Sequence, residues 1–235
     1  MANKIIKQNL FQIIVFIIFS TSNFARAQKD SSLVVISKFK NYKELVASDH
    51  SKKMVELKTI VPNLVYDLRY ATVNNFMHQK LYKNGNETFL RSPVAEALSK
   101  VQQELNEKGL GLKIWDAYRP YSVTVKMWEP IKDDRYVADP KKGSGHNRGG
   151  AVDLTIINLK DGNELNMGTG FDNFSDTAHP TFTNLPEEIL QNRLLLKNTM
   201  EKFGFIGLQT EWWHFYWKEL NKFEVMDIDF KKFKI

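Results

Sequence analysis

Two residues of types that bind metal ions, His146 and Asp153, lie seven positions apart near the middle of the sequence. Between them lies the pair Gly149-Gly150, and glycine lets the backbone turn sharply and return. The imidazole and the carboxylate could therefore face one another, and this donor pair suits Zn²⁺. The alternative is an ordinary loop histidine and an aspartate that caps a turn. From this spacing alone, the two interpretations have equal weight.

The sequence around Asp153 favours the metal interpretation. In residues 151–157, one face of a predicted β-strand carries Val152, Leu154 and Ile156. The other face carries Asp153, Thr155 and Ile157. Flanked by apolar residues, Asp153 is expected to lie near the core. A carboxylate there is costly unless it is paired or bound to a metal ion. A positive group is therefore predicted beside Asp153.

A second candidate set is Glu211-Trp212-Trp213-His214. A catalytic zinc site with three protein ligands still lacks one ligand and a general base. His214 can supply the ligand, and Glu211 can accept a proton from a metal-activated water. Because positions three apart on a regular strand point to opposite faces, Glu211 must lie on a turn before the strand. Without the first set, the simpler interpretation is an aromatic core strand with an incidental His and Glu.

A third candidate is Arg119, which ends a predicted buried strand beside Pro120. An arginine there could point into a cleft and hold a carboxylate or stabilise an oxyanion. A surface salt bridge with Asp116 is the alternative. The remaining histidines are predicted to be surface or loop residues: His50, His78 and His179.

The elements that would position these residues are mixed without a regular alternation. One helix is predicted from Ser92, as its cap, and Pro93, at its first position, to Gly109, and a second over residues 186–203. Residues 121–129 fit either a short helix or a strand. Strands are predicted over residues 112–115, 151–157 and 212–217. We therefore predict an α+β fold with helices packed on a mostly antiparallel sheet.

Composition limits the class of site. The chain has no cysteine, which excludes disulfide and thiolate chemistry. A bound metal would be catalytic rather than structural, since closed structural zinc sites commonly use cysteine. The sequence contains no run of Lys and Arg and no stripe of interleaved basic and aromatic residues, so a nucleic-acid partner is not expected.

The first 27 residues are predicted to be a secretory signal peptide. Lys4 and Lys7 give a basic start, residues 10–19 are almost wholly apolar, and Ala25-Arg26-Ala27 fits a cleavage site. A membrane anchor is the alternative, but ten apolar residues are fewer than the roughly 20 of a spanning helix. Loss of three basic residues and no acid would lower the net charge from +6 to +3.

We therefore expect an exported protein, periplasmic or secreted, with no stable membrane span after cleavage. Residues 28–60 are predicted to be a polar, Lys-rich leader segment with one short helix. Residues 61–235 are predicted to form a single catalytic domain, because no Pro/Gly/Ser-rich linker divides them.

Together the motifs resemble the D-alanyl-D-alanine dipeptidases, zinc peptidases of a larger family that includes D,D-carboxypeptidases. Five blocks occur in the same order between about Leu64 and Tyr216. They are Tyr66-Asp67-Leu68-Arg69-Tyr70-Ala71-Thr72 with Asn75-Phe76, then Trp115-Asp116-Ala117-Tyr118-Arg119-Pro120, then Ser144-x-His146-x-Arg148-Gly149-x-Ala151-x-Asp153-Leu154-Thr155, then Met167-Gly168-Thr169-x-Phe171-Asp172-x-Phe174, and Glu211-Trp212-Trp213-His214. Five ordered blocks are far more specific than any one of them.

The resemblance implies one site built around a single Zn²⁺ ion, on the fold that this family shares with the Hedgehog signalling domain. It implies zinc ligands at His146, Asp153 and His214, the catalytic base at Glu211, a transition-state-stabilising group at Arg119, and substrate contacts at Tyr70, Ser144 and Asp172. Asp172 would hold the free ammonium of a small D,D-dipeptide, and the reaction would be hydrolysis of D-Ala-D-Ala to D-alanine.

Two alternatives to the dipeptidase stay open. An exported D,D-carboxypeptidase acting on cell-wall peptides fits the signal peptide, whereas dipeptidases of this kind are often cytoplasmic; the 167–174 block disfavours it. A non-catalytic zinc-binding or wall-binding module is disfavoured by Glu211, three residues before a ligand. The His/Asp/His set would also accept Co²⁺ or Ni²⁺.

Overall fold

A five-stranded sheet forms the centre of the computed structural model, which describes residues 33–83 and 85–234. The predicted signal peptide lies outside the described residues. In spatial order the strands are β3 (Val65–Tyr66), β5 (Leu110–Asp116), β6 (Ala151–Asn158), β8 (His214–Trp217) and β7 (Phe205–Gly207). Only β3 runs parallel to its neighbour in this sheet. The predicted α+β fold with a mostly antiparallel sheet is confirmed.

Four α-helices accompany the sheet in the described residues. They are α1 (Phe39–Ser48), α2 (Ser92–Asn106), α3 (Tyr121–Ile131) and α4 (Glu187–Lys202). The two long predicted helices correspond to α2 and α4, and the ambiguous stretch 121–129 lies in α3. The predicted cap is wrong: Ser92 is the first helical residue, and its hydroxyl donates to Glu96 Oε1 at 2.8 Å instead of capping.

Strand β6 lies in the middle of the sheet and is buried on both faces. Val152, Leu154 and Ile156 belong to the main core cluster, together with buried leucines of α2 and α4. Successive side chains of a strand point to opposite faces. Asp153 therefore points away from this helix-covered core, which leaves its carboxylate on the face where the candidate residues gather.

The predicted strand over 212–217 is shorter in the structure. Trp212 and Trp213 lie in a turn, and β8 begins only at His214. The backbone N–H of Trp212 donates to the carbonyl of Ala178 at 3.0 Å, a tertiary bond that takes it out of the sheet. The turn that the spacing of Glu211 and His214 required is thus present.

Residues 33–60 pack against the rest of the described chain. Strand β1 (Val35–Ile36) pairs in parallel with β9 (Val225–Met226), and β2 (Met54–Glu56) pairs antiparallel with β4 (Phe89–Arg91). Tyr42 of α1 is buried in the second core cluster. The division of the chain at residues 27 and 60 stays a prediction. None of the described helices combines the length and apolar character needed to cross a membrane.

Arg91 at the end of β4 joins three distant segments from a fully buried position. Its guanidinium donates to the backbone carbonyls of Lys52, Arg148 and Glu224. The planar fork of arginine suits this divergent set of acceptors. Arg148 lies two residues after His146, so the hydrogen bond from Arg91 helps to fix the loop that carries His146.

We expect Tyr42→Ala to lower the free energy of unfolding by about 3–5 kcal/mol, because it removes a buried aromatic ring. The ring packs against Phe39 and Phe233, and its hydroxyl accepts from the Met54 N–H at 2.8 Å. Urea unfolding measures the loss. The exposed neighbour provides the control: Lys43→Ala should change stability by no more than about 0.5 kcal/mol. Equal effects of the two substitutions would mean that α1 is not an integral part of the domain.

Candidate active site

The register of β6 against β8 places two of the candidate ligands side by side. Asp153 pairs directly with His214, and a register shift after Ile114 places Asp116 of β5 on the other side of Asp153. His214 Nδ1 lies 2.8 Å from Asp153 Oδ1. Directly opposed residues of neighbouring strands are held within contact distance by the ladder itself, so the sheet fixes this pair.

His146 reaches the same point from a loop. It begins a 3₁₀ turn, His146–Arg148, that ends at Gly149 in the left-handed region with φ +68°. His146 Nε2 lies 3.3 Å from both His214 Nδ1 and Asp153 Oδ2. Its other ring nitrogen, Nδ1, lies 2.7 Å from the carbonyl oxygen of Ala117 and donates to it. This contact fixes the tautomer in which Nε2 keeps its lone pair for a ligand.

These three side chains fit a metal ion. One ligand atom from each of His146, Asp153 and His214 lies within 4.8 Å of the others. Tetrahedral zinc with bonds of about 2.0–2.1 Å separates its ligand atoms by roughly 3.3 Å. The two 3.3 Å separations from His146 Nε2 match that value, and the 2.8 Å contact would open slightly.

The charge balance around the site also calls for a cation. Besides the exposed carboxyl of Asp134, which pairs with Lys142, four carboxyl groups lie in or beneath the cleft, those of Asp116, Asp153, Asp172 and Glu211. Arg119 is the one buried Lys or Arg among the described residues that line it. Buried negative charge is costly unless it is compensated. A divalent cation between Asp153 and the two histidines would compensate it.

Glu211 lies on the turn before β8 with 8% of its surface exposed. Its Oε2 lies 3.9 Å from His214 Nδ1, close to the ligand group without joining it. Burial raises the pKa of the Glu211 carboxyl well above its usual value, and the charges of Asp153 and Asp172 raise it further. A carboxyl group this close to a candidate metal site is in a position to exchange a proton with a water molecule bound there.

Arg119 points into the cleft from a buried position. Its Nε and Nη2 donate to Asp116 Oδ2 at 2.9 and 2.8 Å, and its guanidinium lies 5.0 Å from the centre of the Tyr70 ring. The salt bridge with Asp116 exists, but it is buried rather than on the surface. Asp116 is held in turn by Tyr82, whose hydroxyl donates to Oδ1 at 2.7 Å.

Asp172 also lines the cleft, and its backbone lies in the left-handed region, at φ +58°. Tyr70 donates its hydroxyl to Asp172 Oδ1 at 2.9 Å, while the buried Oδ2 has no well-formed hydrogen bond within the described chain. Burial raises the pKa of Asp172 to about 7, against the hydrogen bond from Tyr70. The free oxygen is therefore a position for a hydrogen-bond donor or a cation from a ligand.

All eight residues that the sequence singled out line one cleft of about 190 Å³. Ser144, the last of them, accepts a hydrogen bond from the backbone N–H of His146 at 3.1 Å and so supports the 3₁₀ turn. The other histidines lie outside the cleft, as the sequence predicted: His50, His78 and His179.

Two further residues of the site, Asn147 and Tyr136, were not predicted from the sequence. Asn147 is fully buried; its amide donates to the Arg119 carbonyl at 2.8 Å and to Thr124 Oγ1 at 2.9 Å, and accepts from the Ser144 N–H at 3.0 Å. Its position between His146 and Arg148 was an available signal. Tyr136, which also lines the cleft, lies in a loop without a motif, and nothing in its sequence context indicates the site.

Comparisons with known proteins bear on this geometry. The sequence model of the D-Ala-D-Ala dipeptidase family of peptidases matches residues 50–232. The chain is 37% identical over 163 residues to the D-alanyl-D-alanine dipeptidase of Escherichia coli K12, covering 69% of this chain and 83% of that protein. Over 170 residues it is 31% identical to the enzyme of the same name from Enterococcus faecalis, covering 64% and 84%.

One solved structure with a distant likeness is that of a vancomycin-resistance D,D-pentapeptidase in complex with Zn(II). The TM-score is 0.37 at 16% identity, covering 59% of this chain and 78% of that one.

We expect His214→Ala to reduce the metal content of the purified protein at least about tenfold, because it removes one of three ligands. Elemental analysis after dialysis measures the content. The matched control is His50→Ala, which removes an exposed histidine outside the cleft and should keep the metal. Equal metal content in the two variants, both folded, would place the ion elsewhere.

Proposed function

The chain belongs to the D-Ala-D-Ala dipeptidase family of peptidases, and from this membership we propose that it hydrolyses D-Ala-D-Ala to free D-alanine with one zinc ion. The observation that carries the proposal is the set of ligands, base and guanidinium in one small cleft. His146, Asp153 and His214 would hold the ion. When bound, zinc supplies Lewis acidity that lowers the pKa of a bound water towards ~7 and polarises a carbonyl oxygen.

Glu211 would act as the general base and then as the general acid. Its carboxylate takes one proton from the attacking water as the new carbon–oxygen bond forms at the peptide carbonyl. The same proton passes to the leaving amine when the carbon–nitrogen bond breaks, which restores the carboxylate. The position of Glu211, with Oε2 3.9 Å from His214 Nδ1, supports this double role, because it places the carboxyl beside the candidate ligands.

Arg119 would donate hydrogen bonds to the oxyanion that develops on the carbonyl. Its guanidinium is held by Asp116 before any substrate arrives, so little reorganisation is needed at the moment of reaction. Burial strengthens this electrostatic contribution, because the surrounding dielectric constant is lower than that of water. Tyr82, which donates to Asp116, completes the support.

Asp172 would recognise the free ammonium of the dipeptide. Its buried Oδ2 has no well-formed hydrogen bond within the described chain, and Tyr70 fixes the other oxygen. An ammonium group donates up to three hydrogen bonds and would complete this carboxylate. The cleft of about 190 Å³ is below the roughly 300–1,000 Å³ of sites for drug-sized ligands, which suits a dipeptide.

The proposed location is outside the cytoplasm, in the periplasm or the medium, and rests on the predicted signal peptide alone. There the enzyme would meet dipeptide released from cell-wall peptides. The same predicted location favours a second candidate, a D,D-carboxypeptidase that trims peptidoglycan stem peptides. The two candidates differ in their need for a free amine on the residue before the cleaved bond. The dipeptidase would need it, and the carboxypeptidase would not.

The decisive test compares two substrates, D-Ala-D-Ala and an acylated tripeptide that ends in D-Ala-D-Ala, each with and without a chelator. We expect D-alanine from the dipeptide only, loss of activity with the chelator, and recovery when Zn²⁺ is added back. Release from the tripeptide alone would favour the carboxypeptidase. No release from either substrate, with metal bound and the fold intact, would favour a non-catalytic module.

A single substitution separates metal binding from turnover. Glu211→Gln should keep the metal but lower kcat by about 10²–10⁴, because the amide cannot accept the proton. Metal content and D-alanine release are measured on the same preparation. Glu188→Gln, at an exposed position in α4, is the matched control and should leave both unchanged. Full turnover in Glu211→Gln would remove Glu211 from the mechanism.

A further inference from the structure

Three aromatic side chains from three separate loops meet at one side of the cleft. The rings of Tyr136 and Phe174 stack with centroids 4.8 Å apart and planes 29° apart. Phe76 packs against Phe174 at 5.4 Å with planes 64° apart. Phe76 and Tyr136 line the cleft, and Phe174 joins them without lining it. We call these three residues the aromatic cover.

The aromatic cover lies at the Asp172 end of the cleft. Phe174 follows Asp172 by two residues, and the Phe76 ring packs at 6.2 Å and 89° on Tyr70, which donates to Asp172. The backbone N–H of Phe76 is close enough to the Asp172 carboxylate to favour its charged form. The three rings therefore lie close to the Asp172 carboxylate, whose Oδ2 has no well-formed hydrogen bond within the described chain.

The loop that carries Tyr136 contacts the segment next to Glu211. The guanidinium of Arg135 lies 5.2 Å from the centre of the Tyr136 ring. The hydroxyl of Thr210 donates to the Arg135 carbonyl at 3.2 Å, and Thr210 directly precedes the proposed base Glu211. The loop that carries Tyr136 is thereby linked to the segment that leads into Glu211, which restricts where the ring of Tyr136 can move.

We infer that the aromatic cover sets the amino-terminal length limit of the substrate, so that the cleft accepts a free dipeptide and excludes one extended at its amine. This inference rests on the proposed function. With the substrate ammonium at Asp172 Oδ2, any preceding group would have to occupy the space that Phe76, Tyr136 and Phe174 fill. Asp172 selects a substrate with a positively charged amine, and the aromatic cover separately excludes a substrate that is extended at that amine.

The test uses D-Ala-D-Ala and N-acetyl-D-Ala-D-Ala, which differ at the amine by one small group and by the loss of the positive charge. Asp172 is the same in every variant, so a change in preference between variants reports the space at the amine. The measured quantity is the ratio of kcat/KM for the acetylated compound to kcat/KM for the dipeptide, in the metal-loaded enzyme. Phe174→Ala should raise this ratio about tenfold or more, because it removes the ring that joins the other two. Phe174→Leu retains bulk and should raise it less.

Phe203→Ala is the matched control, since it removes another partly buried phenylalanine that lies outside the cleft and should leave the ratio unchanged. If the ratio is unchanged in both Phe174 variants while the dipeptide is still cleaved, the cover is not the limit and the proposed function stands. If Phe174→Ala does not fold, the ratio in Phe174→Leu decides.

Two results in the unaltered enzyme separate the inference from its premise. Equal kcat/KM for the two compounds would overturn the length limit directly and favour the carboxypeptidase. Hydrolysis of neither compound by folded, metal-loaded enzyme would instead overturn the proposed function, and the length limit with it.

Discussion

Uncompensated negative charge buried in the cleft is the constraint on which the site depends. Asp116 is satisfied inside the protein, because Arg119 and Tyr82 both donate to it. Asp153 faces two histidine nitrogens, and Glu211 Oε2 lies 3.9 Å from His214 Nδ1. Placing Asp153 on the most buried strand of the sheet would be strongly destabilising without a positive partner. The candidate ligands, the proposed base Glu211 and Arg119 are therefore parts of one electrostatic arrangement.

Backbone hydrogen bonds couple the positions of the groups that this arrangement needs. His146 donates its ring N–H to the Ala117 carbonyl, and the Arg119 N–H donates to the His146 carbonyl at 3.2 Å. The Asn147 amide donates to the Arg119 carbonyl, which adds a third hydrogen bond between these two segments. The candidate ligand His146 and Arg119, which we propose stabilises the oxyanion, are thus held by the same two chain segments. Neither can shift without the other, which preserves their spacing.

Local patterns in the sequence carried much of the fold and of the site. The alternation in β6 located Asp153, and the clash between strand geometry and the Glu211–His214 spacing required the turn that the structure contains. Predictions were wrong where a single competing contact decided the outcome. The Ser92 hydroxyl donates to Glu96 instead of capping the helix backbone. The Trp212 N–H donates to the Ala178 carbonyl, outside the sheet.

The supporting contacts could not be predicted because they join residues that are distant in sequence. Tyr82 donates to Asp116 34 positions later, and Tyr70 donates to Asp172 102 positions later. The aromatic cover likewise needs three loops at once. No local periodicity marks such pairings, since each residue alone has the appearance of an ordinary loop aromatic. Ordered blocks of similar sequence point to the neighbourhood of the site but not to these contacts.

The parallel pairing of β1 with β9 has a consequence for how the chain folds. Val35 pairs with Val225, 190 positions later, and closing such a loop from an unfolded chain costs roughly 5 kcal/mol of entropy. Pairing of β1 with β9 becomes favourable only after the intervening sheet has formed and brought these two segments close together. Non-local contacts of this kind slow folding. The first described residues of the chain must therefore wait for almost the last ones to be synthesised before their strand can form.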